Sequence, residues 1–204
     1  MIAIINYGSG NVRAIGNIYD RLKIPYNIIE NPEDLLQAKK IILPGIGAFD
    51  ETMGMLNNSG FRNNLEKKVI EEKIPVLGIC VGMQILANGS DEGELAGLNW
   101  IPGRVKKFDK NIIPNKPKIP HLGWNSIEIK KTTPLLANVD EEDGFYFVHS
   151  YYFECDSASD ILTTSFYGTS FASSVNREQI FGVQFHPEKS HSNGISLLKN
   201  FAEL

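Results

Sequence analysis

Gly78-Ile79-Cys80-Val81-Gly82 sets a cysteine between two glycines, where the apolar run Val76 to Ile79 meets a segment of helical spacing, Val81 to Ala87. This is the form of a nucleophile elbow with a thiol in place of the usual hydroxyl. Glycines two residues either side permit a sharp turn, which holds the sulfur clear of a sheet at a helix N-terminus. There the helix dipole favours a thiolate. The competing reading is a buried structural cysteine, the common fate of an unpaired thiol.

A cysteine nucleophile needs a base and a group that orients it. His186-Pro187-Glu188 follows the apolar run Ile180 to Phe185 and supplies both. If the chain stays extended there, residues i and i+2 project to one side. The Glu188 carboxylate then receives Nδ1–H of His186, leaving Nε2 for the thiol. A lone His-x-Glu is weak evidence, and the elbow is what strengthens it.

The remaining histidines and the second cysteine carry blander expectations. His121 and His149 read as structural or binding residues, and His191 sits in a polar turn. His186 and His191 are five apart, without the i, i+4 spacing of a helical zinc site, and no cysteine pair has ligand spacing. Neither a metal site nor a cofactor is expected. Cys155, in Glu-Cys-Asp, reads as incidental. Pro44-Gly45-Ile46-Gly47 follows another apolar run, where two glycines let backbone amides turn into a cleft, or simply form a strand-to-helix turn. Gly8-Ser-Gly-Asn lacks the third glycine of a dinucleotide fingerprint.

These residues need a frame that brings strand ends together. In the first half, apolar β-branched runs alternate with helical segments: Ile2 to Ile5 then Val12 to Leu22, Tyr26 to Ile29 then Glu33 to Ala38, Lys40 to Leu43 then Phe61 to Lys73, and Val76 to Ile79 running into the elbow. That order predicts βα units around a parallel sheet. From about Arg104 the pattern becomes β-rich, with short runs at Val105 to Phe108, Ser126 to Lys130, Phe145 to Val148, Ile161 to Phe166, Ser170 to Val175 and Ile180 to Phe185. Asn111 to Pro120, with three prolines, reads as a loop, and a closing helix carries Ile195, Leu197, Leu198 and Phe201. The whole reads as one α/β domain over residues 1–204.

Composition removes other classes. Of 204 residues, 20 are Lys or Arg and 24 Asp or Glu, so the net charge of −4 gives no basic surplus for a phosphate backbone. With 42% hydrophobic and 22% charged residues, the chain can bury a substantial core. No apolar run reaches the roughly 20 residues that span a bilayer, and a cytoplasmic protein is expected. Neither nucleic acid nor a membrane is an expected partner.

Taken together, Asn6-Tyr-Gly-Ser-Gly-Asn, Leu43-Pro-Gly-Ile-Gly-Ala-Phe, Gly78-Ile-Cys-Val-Gly-Met-Gln, His121-Leu-Gly-Trp-Asn, Phe145-Tyr-Phe-Val-His-Ser-Tyr and Gly182-Val-Gln-Phe-His-Pro-Glu-Lys-Ser resemble the class I (triad) glutamine amidotransferases over essentially the whole chain. Pro-Gly-Ile-Gly-Ala-Phe, Gly-Trp-Asn and the final Glu-Lys-Ser are most similar to the branch serving imidazole glycerol phosphate synthases. The resemblance implies a flavodoxin-like α/β fold with a mostly parallel central sheet flanked by helices and a β-rich second half. It implies Cys80 as nucleophile, His186 as base and Glu188 as its orienting partner, with the amides of Val81 and Ile46 as oxyanion donors. Gly45, Gly47, Gln84, Glu92, His149, Ser150 and Tyr151 would bind glutamine. Its activity would be hydrolysis of glutamine to glutamate and ammonia through a cysteine thioester. Ammonia would pass to a separate (β/α)₈-barrel synthase of the HisF type, met as a heterodimer at Asn11, Trp124, Tyr146 and Lys189, in histidine biosynthesis. Gly97-Leu-Asn-Trp-Ile and the stretch from His149 to Asp156 are also similar to paralogues that supply sugar-modifying synthases of surface-glycan pathways. The elbow and histidine alone also suit a standalone cysteine hydrolase of γ-glutamyl or peptide bonds, or a non-catalytic module on the same fold.

Overall fold

The computed structural model describes residues 1–113 and 119–204. The first half runs β1 (Ile2–Ile5), α1 (Val12–Leu22), β2 (Tyr26–Ile29), a 3₁₀ turn (Pro32–Gln37), β3 (Lys40–Gly45), α2 (Phe49–Asn58), α3 (Phe61–Glu66), β4 (Val76–Cys80) and α4 (Val81–Gln84). The second half adds β5 (Gly89–Ser90), β6 (Gly103–Lys107), β7 (His121–Asn125), β8 (Glu128–Ile129), β9 (Phe145–His149), β10 (Tyr151–Cys155), β11 (Ile161–Phe166), β12 (Ser170–Arg177), β13 (Ile180–Val183) and α5 (His191–Glu203). Part of the loop expected over Asn111 to Pro120 lies outside the described residues.

The main sheet has the order β2-β1-β3-β4-β13-β12-β10-β6-β5, with β11 and β8 branching from β12. Strands β2, β1, β3, β4 and β13 are mutually parallel; β12, β10 and β6 extend the sheet antiparallel beyond β13, and the short β5 lies parallel to β6. The sheet is therefore mixed, parallel where the βα units lie and antiparallel where the sequence turns β-rich. Every residue of β1 and β4 is buried, which is why their sequences are unbroken apolar runs rather than alternating ones. The chain steps outward from β1 to β2, then returns across β1 to β3 and β4. Right-handed crossovers then place α1 and the β3-to-β4 helices on opposite faces, with a crevice at the carboxyl ends of the strands.

Three helices and two strands depart from the sequence reading. Helix α2 is not among the expected elements, although Phe49, Thr52, Met53 and Leu56 are buried at helical spacing. The helix expected from Phe61 to Lys73 ends as α3 and widens into a π turn over Lys67–Glu71, where Lys68 folds inward to donate to the Leu36 carbonyl at 3.1 Å. The helix expected from Val81 to Ala87 stops after one turn. Its last carbonyls are captured sideways, Ile85 by the Leu98 N–H at 2.7 Å and Leu86 by the Trp100 N–H at 2.9 Å. Strands β7 and β10, also unexpected, form around the aromatic half: β7 pairs β9 in a separate two-stranded ladder, and β10 joins the main sheet.

Candidate active site

Cys80 is the last residue of β4 and the cap of α4, with φ 57° and ψ −115°. An L-residue reaches that region only when its surroundings hold it there. The flanking glycines make this possible by close approach. A Cβ on Gly82 would stand 1.9 Å from the Leu43 carbonyl oxygen, and one on Gly78 would stand 2.5 Å from the Gly82 oxygen. With neither Cβ present, α4 drops onto β3 and β4, and the sulfur is lifted to the crevice.

His186 lies beyond β13, anchored by its neighbours. Its N–H donates to the Tyr146 carbonyl at 2.9 Å, and the Ser190 hydroxyl donates to its carbonyl at 2.6 Å. Phe185, fully buried, stacks on Phe145 at a centroid distance of 3.7 Å. Burial of one such ring stabilises by about 1.5–3 kcal/mol, which fixes the chain beside the base. His186 Nδ1 meets Glu188 Oε1 at 2.8 Å, as the spacing suggests, but for a different reason. The expected extended run is replaced by a 3₁₀ turn over Pro187–Lys189, with His186 as its cap. Proline's fixed φ suits the first position of such a turn, so it folds the carboxylate back instead of keeping the chain straight. The side chains of His186 and Glu188 are 5% and 2% exposed.

Burial alone would lower the proton affinity of His186. Hydrogen bonds to Cys80 and Glu188 outweigh it and raise the ring's pKa to about 10. Both bonds favour the charged form of the ring. The second oxygen of Glu188 is buried with no hydrogen-bond partner among the described residues.

A cleft of about 370 Å³ opens over the sulfur, lined by Gly47, Gln84, Glu92, His149, Ser150 and Tyr151 together with Cys80, His186, Ile46, Val81 and Lys189. Gly45 is not on its wall; it pairs with Cys80 in the β3–β4 register and abuts the elbow. A larger groove of about 790 Å³, around Glu128, Asp140, Glu141 and Glu142, has neither cysteine nor histidine on its described wall. Val81, as the first residue of α4, has an N–H that no helical carbonyl can take. The Ile46 N–H, by contrast, is turned to the Ser9 hydroxyl at 2.9 Å, which in turn donates to the Ile46 carbonyl at 3.0 Å. In this structure Ile46 offers the cleft no amide.

Glu92 is held by a reciprocal brace that the sequence does not disclose. Its Oε2 accepts the Phe49 N–H at 2.8 Å, at the start of α2. Asp50, one residue on, accepts the N–H groups of Glu94 and Leu95 at 2.8 and 3.0 Å. An acidic residue in the first turn of a helix is the available signal, but it has no meaning until α2 itself is known.

The β7–β9 register sets His121 opposite His149 and Trp124 opposite Tyr146. His149 Nδ1 faces the Tyr151 carbonyl at 2.8 Å, so it must carry the proton there, and its Nε2 accepts from His121 Nδ1 at 2.9 Å. Desolvation lowers the pKa of His121 to about 4 and that of His149 to about 3, so both rings are neutral. On the outer side Trp124 is 49% exposed and lies edge-on to Tyr146, and Lys189 Nζ sits 5.6 Å over the Tyr146 ring. Leu122, on the same side of β7, is 63% exposed, and Asn11 is exposed.

Residues 3–204 match the model of the family described as glutamine amidotransferase class-I. The chain is 47% identical over 204 residues to imidazole glycerol phosphate synthase subunit HisH of Leptospira borgpetersenii, covering all of both chains. It is 49% identical over 206 residues to the protein of that name from Bdellovibrio bacteriovorus, again covering all of both. Among solved structures, a glutamine amidotransferase from Thermotoga maritima shares the fold, with TM-score 0.63 at 17% identity over 99% of this chain and 83% of that one.

Proposed function

Since the chain belongs to the class-I glutamine amidotransferase family, we propose that it is the glutaminase subunit of an imidazole glycerol phosphate synthase in histidine biosynthesis, with Cys80, His186 and Glu188 as its catalytic triad. The observation that carries this reading is that Cys80 and His186 share the wall of one cleft while Glu188 holds the Nδ1 side of His186, in a chain aligned end to end with HisH subunits.

The chemistry follows from the geometry. His186 takes the thiol proton, and the sulfur attacks the side-chain amide carbon of glutamine. The carbonyl oxygen gains negative charge, which the Val81 N–H can receive; a second donor requires the Ile46 peptide to turn inward. His186 returns its proton to the amide nitrogen, the C–N bond breaks, and ammonia leaves a γ-glutamyl thioester. His186 then takes a proton from water, which attacks the thioester and releases glutamate and the thiolate. Gly47, Gln84, Glu92, His149, Ser150 and Tyr151 form the glutamine pocket.

The partner is a HisF-type (β/α)₈ barrel that docks on the face bearing Asn11, Trp124, Tyr146 and Lys189. Supporting this are the exposed Leu122 and Trp124 and the continuity Trp124–Tyr146–Lys189, which ends at the cleft wall. A test measures glutamate release by the chain alone, with the barrel, and with the barrel plus its phosphoribosyl ligand. Activation on docking is expected. Cleavage of γ-glutamyl peptides with no glutamine turnover under any of the three conditions would move the assignment to a standalone hydrolase.

A further inference from the structure

Gln184 lies between β13 and the triad histidine, and its side chain is completely buried. Its Nε2 is 3.7 Å from Cys80 Sγ, within hydrogen-bonding range for sulfur, and its Oε1 is 2.9 Å from Gln84 Nε2. The direction of each amide follows from one fixed point. The backbone carbonyl of Tyr151 can only accept, and Gln84 Nε2 lies 3.2 Å from it, so the NH₂ end of Gln84 faces that carbonyl. The same NH₂ group gives its second proton to Gln184, whose oxygen must therefore face Gln84. The NH₂ of Gln184 is left pointing at the sulfur.

We propose that Gln184 is a further catalytic residue of the glutaminase, donating a hydrogen bond to the Cys80 sulfur, with Gln84 as the positioning residue that keeps the donor end turned toward it. The assignment rests on the glutaminase reading for its substrate but not for its chemistry. A fully buried amide is costly unless both ends are bonded, and here the second bond ends on the reacting atom. The donor acts whenever the sulfur carries charge. Before attack it favours thiolate over thiol; when the thioester collapses and the C–S bond breaks, it receives the charge that returns to sulfur. During the intervening thioester it has no anion to hold, so its effect is differential across the cycle. His186 is the other donor to the sulfur, so each thiolate state has one charged and one neutral partner.

The test reads the sulfur directly. In a Cys155→Ser background, where Cys80 is the only thiol, the rate of alkylation by iodoacetamide is followed against pH, with circular dichroism reporting the fold. Gln184→Leu should move the half-maximal pH upward by about one unit, the size expected for loss of a hydrogen bond to a charged form. Gln184→Glu should move it further in the same direction, because a carboxylate repels the thiolate. Gln84→Leu should give a smaller upward shift, since the Gln184 amide is then free to rotate. If Gln184→Leu does not fold, Gln184→Met keeps the unbranched shape and removes the donor. An unchanged midpoint in a folded Gln184→Leu or Gln184→Met variant overturns the proposal, even if the parent chain turns over glutamine. The expected shifts in a chain that turns over no glutamine would overturn the glutaminase reading alone.

Discussion

The Ser9 hydroxyl clasps both backbone polar groups of Ile46, accepting its N–H at 2.9 Å and donating to its carbonyl at 3.0 Å. Thr52 adds a second donor to that carbonyl at 3.2 Å. The peptide that could complete an oxyanion hole is thus tied away from the cleft, between Gly45 and Gly47, the latter at φ 91°. Ser9→Ala removes the partner of the N–H and leaves Thr52 on the carbonyl. Glutamate release by the isolated chain should rise, up to a ceiling of about 10²- to 10³-fold, the usual contribution of one oxyanion donor. No rise would mean that the clasp does not limit turnover.

The two cysteines should behave oppositely. Cys80→Ser is expected to abolish glutamine hydrolysis with the fold intact. Cys155→Ser should leave the rate within about two- to three-fold of the parent, because Cys155 lies away from the cleft, with a pKa raised to about 12 by burial and the nearby Asp160 and Asp156. Equal losses with unchanged circular dichroism would sink the nucleophile assignment.

His186 and Gln84 separate turnover from binding. His186→Asn should depress kcat while leaving glutamine protection of Cys80 against alkylation nearly unchanged. Gln84→Ala should raise the glutamine concentration needed for that protection. Full turnover in His186→Asn would refute the triad.

Asp50 is not on the described wall of the cleft, yet it ties down the loop that carries Glu92. Asp50→Ala should raise the KM for glutamine by about ten-fold and leave kcat within about two-fold, as a loss of ground-state positioning does. A fall in kcat at unchanged KM would place Asp50 elsewhere in the mechanism.

Acid should unfold the protein partly through its buried histidines. His121 and His149 have folded-state pKa values of about 4 and about 3, below the ordinary 6.5, so their neutral burial stabilises fully above pH 6.5. That contribution is lost as pH falls from 6.5 through those values, because the unfolded chain takes up the protons first. His186 moves the other way: raised to about 10, its contribution is complete below pH 6.5 and fades only as pH rises through 10. Between pH 6 and 5 each of the two buried rings should therefore add about 1.4 kcal/mol per pH unit to the slope of unfolding free energy. Urea titrations should show that slope reduced by about that amount in His121→Phe. Identical slopes in parent and variant would contradict the neutral pair.

What depends on neighbours along the chain is legible in the residues alone: the βα order, the glycine-flanked elbow at the end of β4, and the proximity of His186 to Glu188. These follow from local sterics and residue type, which act over a few residues, although the backbone between His186 and Glu188 stays ambiguous at that level, because a turn and an extended run both bring i and i+2 together. Tertiary structure alone decided what those groups touch. Ser9 reaches Ile46 across 37 residues, and Gln184 reaches Cys80 across 104. The His121–His149 pair exists only because β7 aligns with β9 in one register out of several. Strand order and register minimise the free energy of the whole core, so no short string of residues encodes them. The direction of a peptide plane or an amide is then set by whichever donor or acceptor that packing brings within 3 to 4 Å.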